Sequence, residues 1–94
     1  MKNWLVIYDI RDGKRLVKVS KIVESFGKRV QKSVFEVFAD NSTIQKLREK
    51  IRETIDDDED FVVYFEICLK DWHKRERYGV DGELEEYNEK YIII

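Results

Sequence analysis

The chain contains no proline, a single cysteine and a single histidine among its 94 residues. The lone cysteine, Cys68, excludes an internal disulfide and lacks the spacing of a metal-binding motif, so we expect it in the core. The lone histidine, His73, has no catalytic partner in view, which does not favour a general-base role. Disulfide scaffolds and cysteine- or histidine-rich metal sites are therefore not indicated.

Long apolar runs are also absent. No run approaches the length of a membrane span, and the N-terminus lacks the apolar segment and small-residue cleavage site of a signal peptide. Hydrophobic residues still make up 43% of the chain and aromatic residues 13%, enough for a core and against disorder. We expect a single small cytoplasmic domain over residues 1–94, of a size that often gains stability from a partner subunit.

Charged residues are abundant but unevenly distributed. Residues 1–35 carry nine basic and three acidic side chains, whereas residues 36–94 carry nine basic and 17 acidic ones. The first third therefore has a net charge of +6 and the remainder a net charge of −8. A polyanion could therefore bind the first third, although the pI near 5.5 argues against a generic nucleic-acid coat.

Apolar patterning predicts a series of strands separated by helices. Residues 3–9 are expected to form a strand buried on both faces, and residues 28–39 either two short strands or one bent strand with a bulge. Residues 61–69 form the most β-prone segment, and residues 91–94 form a short apolar strand at the end. The acidic run 56–60 lacks the periodicity and glycine of a calcium loop and is interpreted as a solvated turn.

Two amphipathic helices are predicted between these strands. Asp12 is placed to cap the first helix, near Lys14, and Gly27 follows where a C-terminal cap belongs. Ser42 to Gln45 has capping-box spacing and is predicted to begin the second helix. The apolar stripe of the second helix consists of Ile44, Leu47, Ile51 and Ile55.

This order of elements predicts an α+β fold. It suits a ferredoxin-like βαββαβ sandwich with an extra C-terminal strand, in which two helices cover one face of a mostly antiparallel sheet. The apolar strand 91–94 needs a sheet to join, and the sheet edge of a partner protomer is a candidate. We therefore expect a homodimer.

Asp9 is the candidate catalytic and metal-binding residue. It closes the apolar run Trp4–Tyr8 and is followed at once by the cationic stretch Ile10–Arg15. A carboxylate in this position suits a divalent metal such as magnesium facing a phosphate. Only one such carboxylate is evident per chain, so a second subunit would complete the site. The alternative is that Asp9 only ends the strand and forms an Asx turn.

Basic side chains near Asp9 are candidates for phosphate contacts. Lys14, Lys18 and Lys21 fall on one helical face, although a solvated face is the ordinary explanation for such a stripe. Basic residues in the 28–32 segment are sharper candidates, because they interrupt an extended segment. The candidates for nucleic-acid binding are Arg11, Lys14, Arg15, Lys18, Arg29 and Lys32.

Several of these stretches together resemble a known family. Tyr8-Asp9-Ile10 follows an apolar strand, Lys14-Arg15 and Lys18-Val19 follow it, and residues 27–36 read Gly-Lys-Arg-Val-Gln-Lys-Ser-Val-Phe-Glu. These residues resemble the small CRISPR-associated nuclease-fold protein family, the second Cas protein, or CRISPR-associated endoribonuclease. The resemblance covers nearly the whole chain. One departure is Leu16, where many members carry a second arginine after Arg15.

The resemblance implies a homodimer that acts in CRISPR adaptation, the acquisition of foreign DNA as new spacers in antiviral defence. The dimer would lie between copies of the larger integrase subunit. Members are described as metal-dependent endonucleases, which are hydrolases of RNA or duplex DNA, and others as bridges whose chemistry is dispensable. The family's catalytic and metal-binding acid corresponds to Asp9, its aromatic neighbours to Tyr8 and Phe35, and its basic positions to Arg15 and Arg29.

Two other functions stay open. The chain could be a purely structural nucleic-acid-bridging module without catalysis. It could also be a small-molecule-binding regulatory dimer of ferredoxin-like fold, although no glycine-rich turn indicates this.

Overall fold

The computed structural model describes residues 1–80 and 90–93, and the side chains of residues 1–76. In chain order the elements are β1 (Lys2–Asp9), α1 (Gly13–Glu24), β2 (Lys28–Gln31), β3 (Val34–Ala39), α2 (Asn41–Thr54), β4 (Phe61–Ile67), α3 (Leu69–His73), β5 (Arg77–Val80) and β6 (Lys90–Ile93). No helix in these ranges is long and apolar enough to cross a membrane.

Four strands form an antiparallel sheet in the order β2-β3-β1-β4. The central strand β1 pairs antiparallel with both β3 and β4. Strands β5 and β6 pair antiparallel in a separate two-stranded sheet. The predicted α+β class with a mostly antiparallel sheet is confirmed.

Alternation along β1 explains its central position. Trp4, Val6 and Tyr8 point to the face that the helices cover and are at most 6% exposed. Leu5 and Ile7 point to the opposite face and are only half-buried there. The apolar run in β1 thus contributes side chains to both faces of the sheet. The helices bury one face, and the other face stays partly exposed.

The helices bury one stripe each against the sheet. The Asp12 side chain caps α1 as predicted, accepting a hydrogen bond from the Arg15 backbone N–H at 2.9 Å. The predicted capping box at Ser42 is wrong, because the helix cap lies two residues earlier in the chain. Its cap is Asp40, which accepts from the Thr43 backbone N–H at 2.8 Å and from the Ser42 hydroxyl at 3.1 Å. The buried helical residues are Val19, Val23, Ile44, Leu47 and Ile51.

The segment 28–39 consists of two strands joined by a tight turn. Its pairing register shifts between Arg29 and Gln31, so the bulge that the broken alternation suggested is present as well. Gly27 leads into β2 at a point of close approach. A Cβ there would overlap the backbone carbonyl of Glu36, so the site excludes any larger residue.

The chain after β4 differs most from the sequence prediction. The short helix α3 and strand β5 were not predicted, because a five-residue charged helix has too few residues to show a period. Cys68 is exposed at the start of α3, so the expectation of a buried core cysteine is wrong. The final strand is Lys90–Ile93, and Ile94 lies outside the described residues. Pairing of this strand with a partner protomer stays a prediction.

Candidate metal and nucleic-acid site at the end of strand β1

Asp9 lies at the C-terminal end of the central strand, opposite Phe61 of β4. Its side chain is exposed and points to the face of the sheet away from the helices. Its carboxylate makes no hydrogen bond or ion pair with another residue in the described part of the chain. No group of three or more metal-ligating side chains occurs among those residues. One copy of the chain therefore offers a metal a single carboxylate.

Tyr8 and Phe35 lie directly behind Asp9, on the helix side of the sheet. Their rings stack with centroids 6.0 Å apart, and the Arg29 guanidinium lies 5.1 Å above the Phe35 ring. The Tyr8 hydroxyl shares a hydrogen bond with the Ser20 hydroxyl at 2.8 Å, and burial raises the pKa of this tyrosine. The tyrosine therefore stays neutral at ordinary pH, and these aromatic residues fix the end of β1.

A buried ion pair anchors the loop that follows Asp9. The Asp60 side chain is fully buried and receives the Arg15 guanidinium, with Nε at 2.8 Å and Nη2 at 3.2 Å from its oxygens. Backbone N–H groups of Arg11 and Asp56 donate to the same carboxylate at 2.8 and 2.9 Å. These donors, with Arg15 first, hold the pKa of Asp60 well below its usual range.

Asp60 was not predicted as a functional residue. The acidic run 56–60 is indeed a turn, but its last carboxylate is not solvated. The available signal was its position immediately before a strand that pairs with the end of β1. A carboxylate placed there faces the basic loop after Asp9.

The candidate phosphate-binding residues divide into two groups. Arg15 is committed to Asp60 and to Glu59 at 3.2 Å, and Arg29 to Glu24 at 2.6 Å. Both arginines therefore have fewer donors left for a phosphate than the sequence suggested. The other four candidates are exposed and form no ion pair with the described residues; they are Arg11, Lys14, Lys18 and Lys32.

The face of the sheet that carries Asp9 is apolar over much of its area. Phe38, Phe61 and Phe65 are 60%, 50% and 48% exposed, and all three lie on this face by strand register. A salt bridge of 2.9 Å from Arg75 to Glu36 draws the chain after α3 over one part of the same face. We call this surface the open sheet face, and it consists of Asn3, Leu5, Ile7, Asp9, Val34, Glu36, Phe38, Phe61, Val63, Phe65 and Ile67.

Fold and site together define a small α+β protein with an apolar open sheet face, an exposed carboxylate at its margin and basic side chains on the adjoining loop and helix. Residues 1–75 match the family described as CRISPR associated protein Cas2, and the chain belongs to that family.

Two named relatives illustrate the similarity. The chain is 33% identical over 92 residues to the CRISPR-associated endoribonuclease Cas2 1 of Chloroflexus aurantiacus, covering 97% of this chain and 98% of the relative. It is 42% identical over 53 residues to the CRISPR-associated endonuclease Cas2 2 of Thermus thermophilus, covering 56% of this chain and 59% of the relative.

Solved structures show the same fold. A hypothetical protein from Thermus thermophilus superposes with a TM-score of 0.70 at 31% identity, over 86% of this chain and 90% of that one. The Cas2 protein of Streptococcus pyogenes gives 0.68 at 28% identity, over 77% and 92%. A chain in a partial Cas6-RT-Cas1–Cas2 complex gives 0.65 at 31% identity, over 74% and 82%.

Proposed function

We propose that this chain is a CRISPR adaptation protein, a dimeric nucleic-acid-binding adaptor of ferredoxin-like fold that joins the integrase during spacer acquisition. Membership of the Cas2 family supports the assignment. The similarity to a chain in a complex that also contains Cas1 supports an integrase subunit as the partner. The observation that carries the proposal is the position of Asp9, which is exposed where the open sheet face meets the basic loop.

The open sheet face supports a homodimer. Three phenylalanines exposed by about half or more on one sheet are costly to leave in water, and sheet-to-sheet packing removes them from it. Strand β4 lies at the edge of the four-stranded sheet and offers a row of backbone groups for another strand. The proposed role of the C-terminal strand is to pair with such an edge on the partner.

The basic loop and helix support binding to a nucleic-acid backbone. Arg11 lies in the loop before α1, and Lys14 and Lys18 lie one turn apart on α1. All three residues are exposed. Lysine and arginine side chains that neutralise phosphates bind without reading sequence. The proposed ligand is therefore duplex DNA or RNA recognised by its backbone and shape.

The Asp9 carboxylates of two protomers would also suit a magnesium ion shared between them. Magnesium is commonly held by one or two carboxylates, with waters and phosphate oxygens completing its shell. Asp9 would supply one carboxylate from each protomer, since it lies on the same face as the proposed dimer contact. Bound there, the ion would lower the pKa of a water and offset charge on a phosphodiester. Endonuclease activity through Asp9 is thus the second part of the proposal.

In the proposed cleavage, the residues around Asp9 hold the strand end and the loop in position and do not themselves react. Stacking of Tyr8 on Phe35 fixes the end of the strand, and the Arg15–Asp60 pair fixes the loop beyond it. Exposed basic side chains would place a phosphate near the Asp9 carboxylate. A bridging module without catalysis remains a second candidate, because Arg15 is bound to carboxylates of its own chain and has fewer donors for a reacting phosphate.

Substitution of Asp9 by Asn separates the two roles. The variant keeps the shape of the side chain and removes the charge that a metal needs. We expect loss of magnesium-dependent cleavage of RNA and duplex DNA, with retention of the dimer and of association with the integrase. Asp58→Asn is the matched control, since Asp58 is an exposed carboxylate outside the site.

Two results would contradict parts of the proposal. Equal cleavage by Asp9→Asn and wild type, or cleavage that survives excess chelator, would remove the endonuclease role. Failure of the wild-type chain to associate with the integrase would remove the adaptor role.

A further inference from the structure

A polar cavity lies on the helix side of the sheet, between the C-terminal half of α2 and strand β4. Its volume is about 240 Å³, and its floor is formed by Ile51, Ile55 and Val62. Asp9 points to the opposite face of the same sheet, so the cavity is separate from the site above. We call it the α2–β4 cleft, and its lining residues are Arg48, Ile51, Arg52, Ile55, Asp57, Val62 and Tyr64.

Two arginines one helical turn apart dominate the charge of the cleft. Neither Arg48 nor Arg52 forms an ion pair with a carboxylate of the described residues. Elsewhere in the chain, Arg15, Arg29 and Arg75 all have carboxylate partners. The lining carries two guanidinium groups and one carboxylate, that of Asp57, so the cavity is positively charged overall.

The guanidinium of Arg48 is held in place by aromatic rings. Its central carbon lies 5.2 Å from the Trp4 ring centroid and 5.4 Å from that of Tyr64. Contacts through the flat face of a guanidinium leave its N–H edge available for a planar or tetrahedral oxyanion. Gln45 takes only one of these N–H groups, at the long distance of 3.4 Å. Arg48 is therefore oriented before any ligand arrives.

Tyr64 adds a neutral hydroxyl to the same wall. Burial raises its pKa, against the opposing effect of the two nearby arginines, so the phenol stays protonated at ordinary pH. A hydroxyl donor and two guanidinium groups suit an anion with several acceptor oxygens and a charge near −2. A phosphate monoester has both properties, whereas a carboxylate has two oxygens and one charge.

We propose that the α2–β4 cleft binds a phosphate monoester carried on a small, partly apolar body of about the size of a pentose. The cavity is smaller than a typical drug-sized pocket, which limits the ligand to the phosphate and a few attached groups. The aliphatic floor would contact the carbon skeleton, and the arginines would bind the phosphate. A free sugar phosphate and the phosphorylated end of a nucleic-acid strand both present this chemistry. The inference does not depend on the chemistry proposed for Asp9.

Ribose 5-phosphate is the probe for the site itself. Titration into the full chain, followed by calorimetry and by amide NMR shifts, is expected to perturb the second half of α2 and the 62–64 segment. Arg52→Gln removes an exposed guanidinium and should weaken binding about tenfold or more, the usual effect of losing a charge-assisted hydrogen bond. Tyr64→Phe keeps the ring and should weaken binding by less. Lys46→Gln, an exposed charge on the same helix, should bind as wild type.

A second experiment distinguishes a nucleic-acid strand end from a free sugar phosphate as the ligand. Oligonucleotides of one sequence, with a 5′-phosphate or a 5′-hydroxyl, are compared on wild type and Arg52→Gln at fixed low salt. A preference for the phosphorylated strand that disappears in Arg52→Gln assigns the site to strand ends. Ribose 5-phosphate binding without such a preference assigns it to a free sugar phosphate. Equal binding of ribose 5-phosphate by Arg52→Gln and wild type, or shifts confined to the α1 lysines, would overturn the inference.

Discussion

The Arg15 guanidinium holds the buried Asp60 carboxylate through two N–H groups, with Nε 2.8 Å from Oδ2 and Nη2 3.2 Å from Oδ1. Backbone N–H groups of Arg11 and Asp56 donate to the same two oxygens. The carboxylate thus joins the loop after Asp9 to the turn before β4. The Asp9 carboxylate has no partner among the described residues, but the loop that follows it is fixed by residues far away in sequence.

Loss of the Asp60 charge should destabilise the fold. Asp60→Asn replaces an oxygen acceptor by an amide donor that faces N–H groups. It also leaves the Arg15 guanidinium with only the exposed Glu59 carboxylate as a partner. We expect a clear fall in Tm, measured by circular dichroism. Asp58→Asn removes a charge from the same turn at an exposed position and should leave Tm unchanged. Equal Tm values for both variants would show that the pair does not anchor the loop.

The Asp60 carboxylate should also make the stability of the fold fall at acidic pH. The pKa of Asp60 is lowered in the folded chain, so in acid the unfolded chain binds a proton that the folded chain does not. Stability from this group is therefore complete above the unfolded pKa of about 3.9 and falls as pH drops below it. Urea unfolding between about pH 6 and about pH 2.5 should show this fall, and Asp60→Asn should show a shallower one. Parallel curves for the two proteins would contradict the assignment.

Patterns within single elements could be predicted from the sequence, whereas contacts between elements could not. The buried positions of β1 and α2 follow from periods of two and 3.6 residues, which require no knowledge of a partner element. Asp60 was interpreted as part of a solvated turn, because nothing local shows that Arg15 comes to it across 45 residues. Arg15 was counted as free for the same reason.

Two further features of the structure, the exposure of Cys68 and the α2–β4 cleft, differ from the sequence predictions or are absent from them. Cys68 was expected in the core because free cysteine is usually buried, but it starts a short exposed helix. The α2–β4 cleft cannot be predicted from the sequence, because only the folded chain brings Trp4 of β1 and Tyr64 of β4 against the Arg48 guanidinium.

Two glycines offer a matched test of packing. At Gly27 a Cβ would overlap the Glu36 carbonyl oxygen and lie 2.6 Å from a Val37 methyl group, so Gly27→Ala must displace a strand backbone. We expect a loss of about 1–3 kcal/mol in the free energy of unfolding, typical of overpacking. Gly13→Ala meets nothing within 4 Å, at the first residue of α1. It should leave stability unchanged or raise it by up to about 1 kcal/mol, because alanine favours the helix. Equal urea midpoints would contradict the account of Gly27.

The exposed lysines of α1 should set the salt dependence of nucleic-acid binding. Each phosphate contact with duplex DNA contributes about −0.9 to the slope of log Kobs against log salt. The Lys14→Gln, Lys18→Gln double variant should therefore reduce the slope by about 1.8 if both lysines contact phosphates. The Lys46→Gln, Lys50→Gln double variant removes the same charge from α2 and is the control. Equal slopes for the two double variants would place the nucleic acid elsewhere.

The open sheet face should determine the oligomeric state. Phe65 is 48% exposed at the edge strand β4, so Phe65→Lys introduces a charge without emptying the core of the protomer. In a dimer packed through this face, the charge would be buried against apolar side chains, and we expect a monomer by analytical ultracentrifugation. Val17→Lys makes a similar change at a residue that is 53% exposed on α1, and it should leave the dimer intact. If Phe65→Lys stays dimeric, or Val17→Lys becomes monomeric, the dimer does not form through the open sheet face. Asp9 would then have to receive its second carboxylate from another arrangement of the two copies.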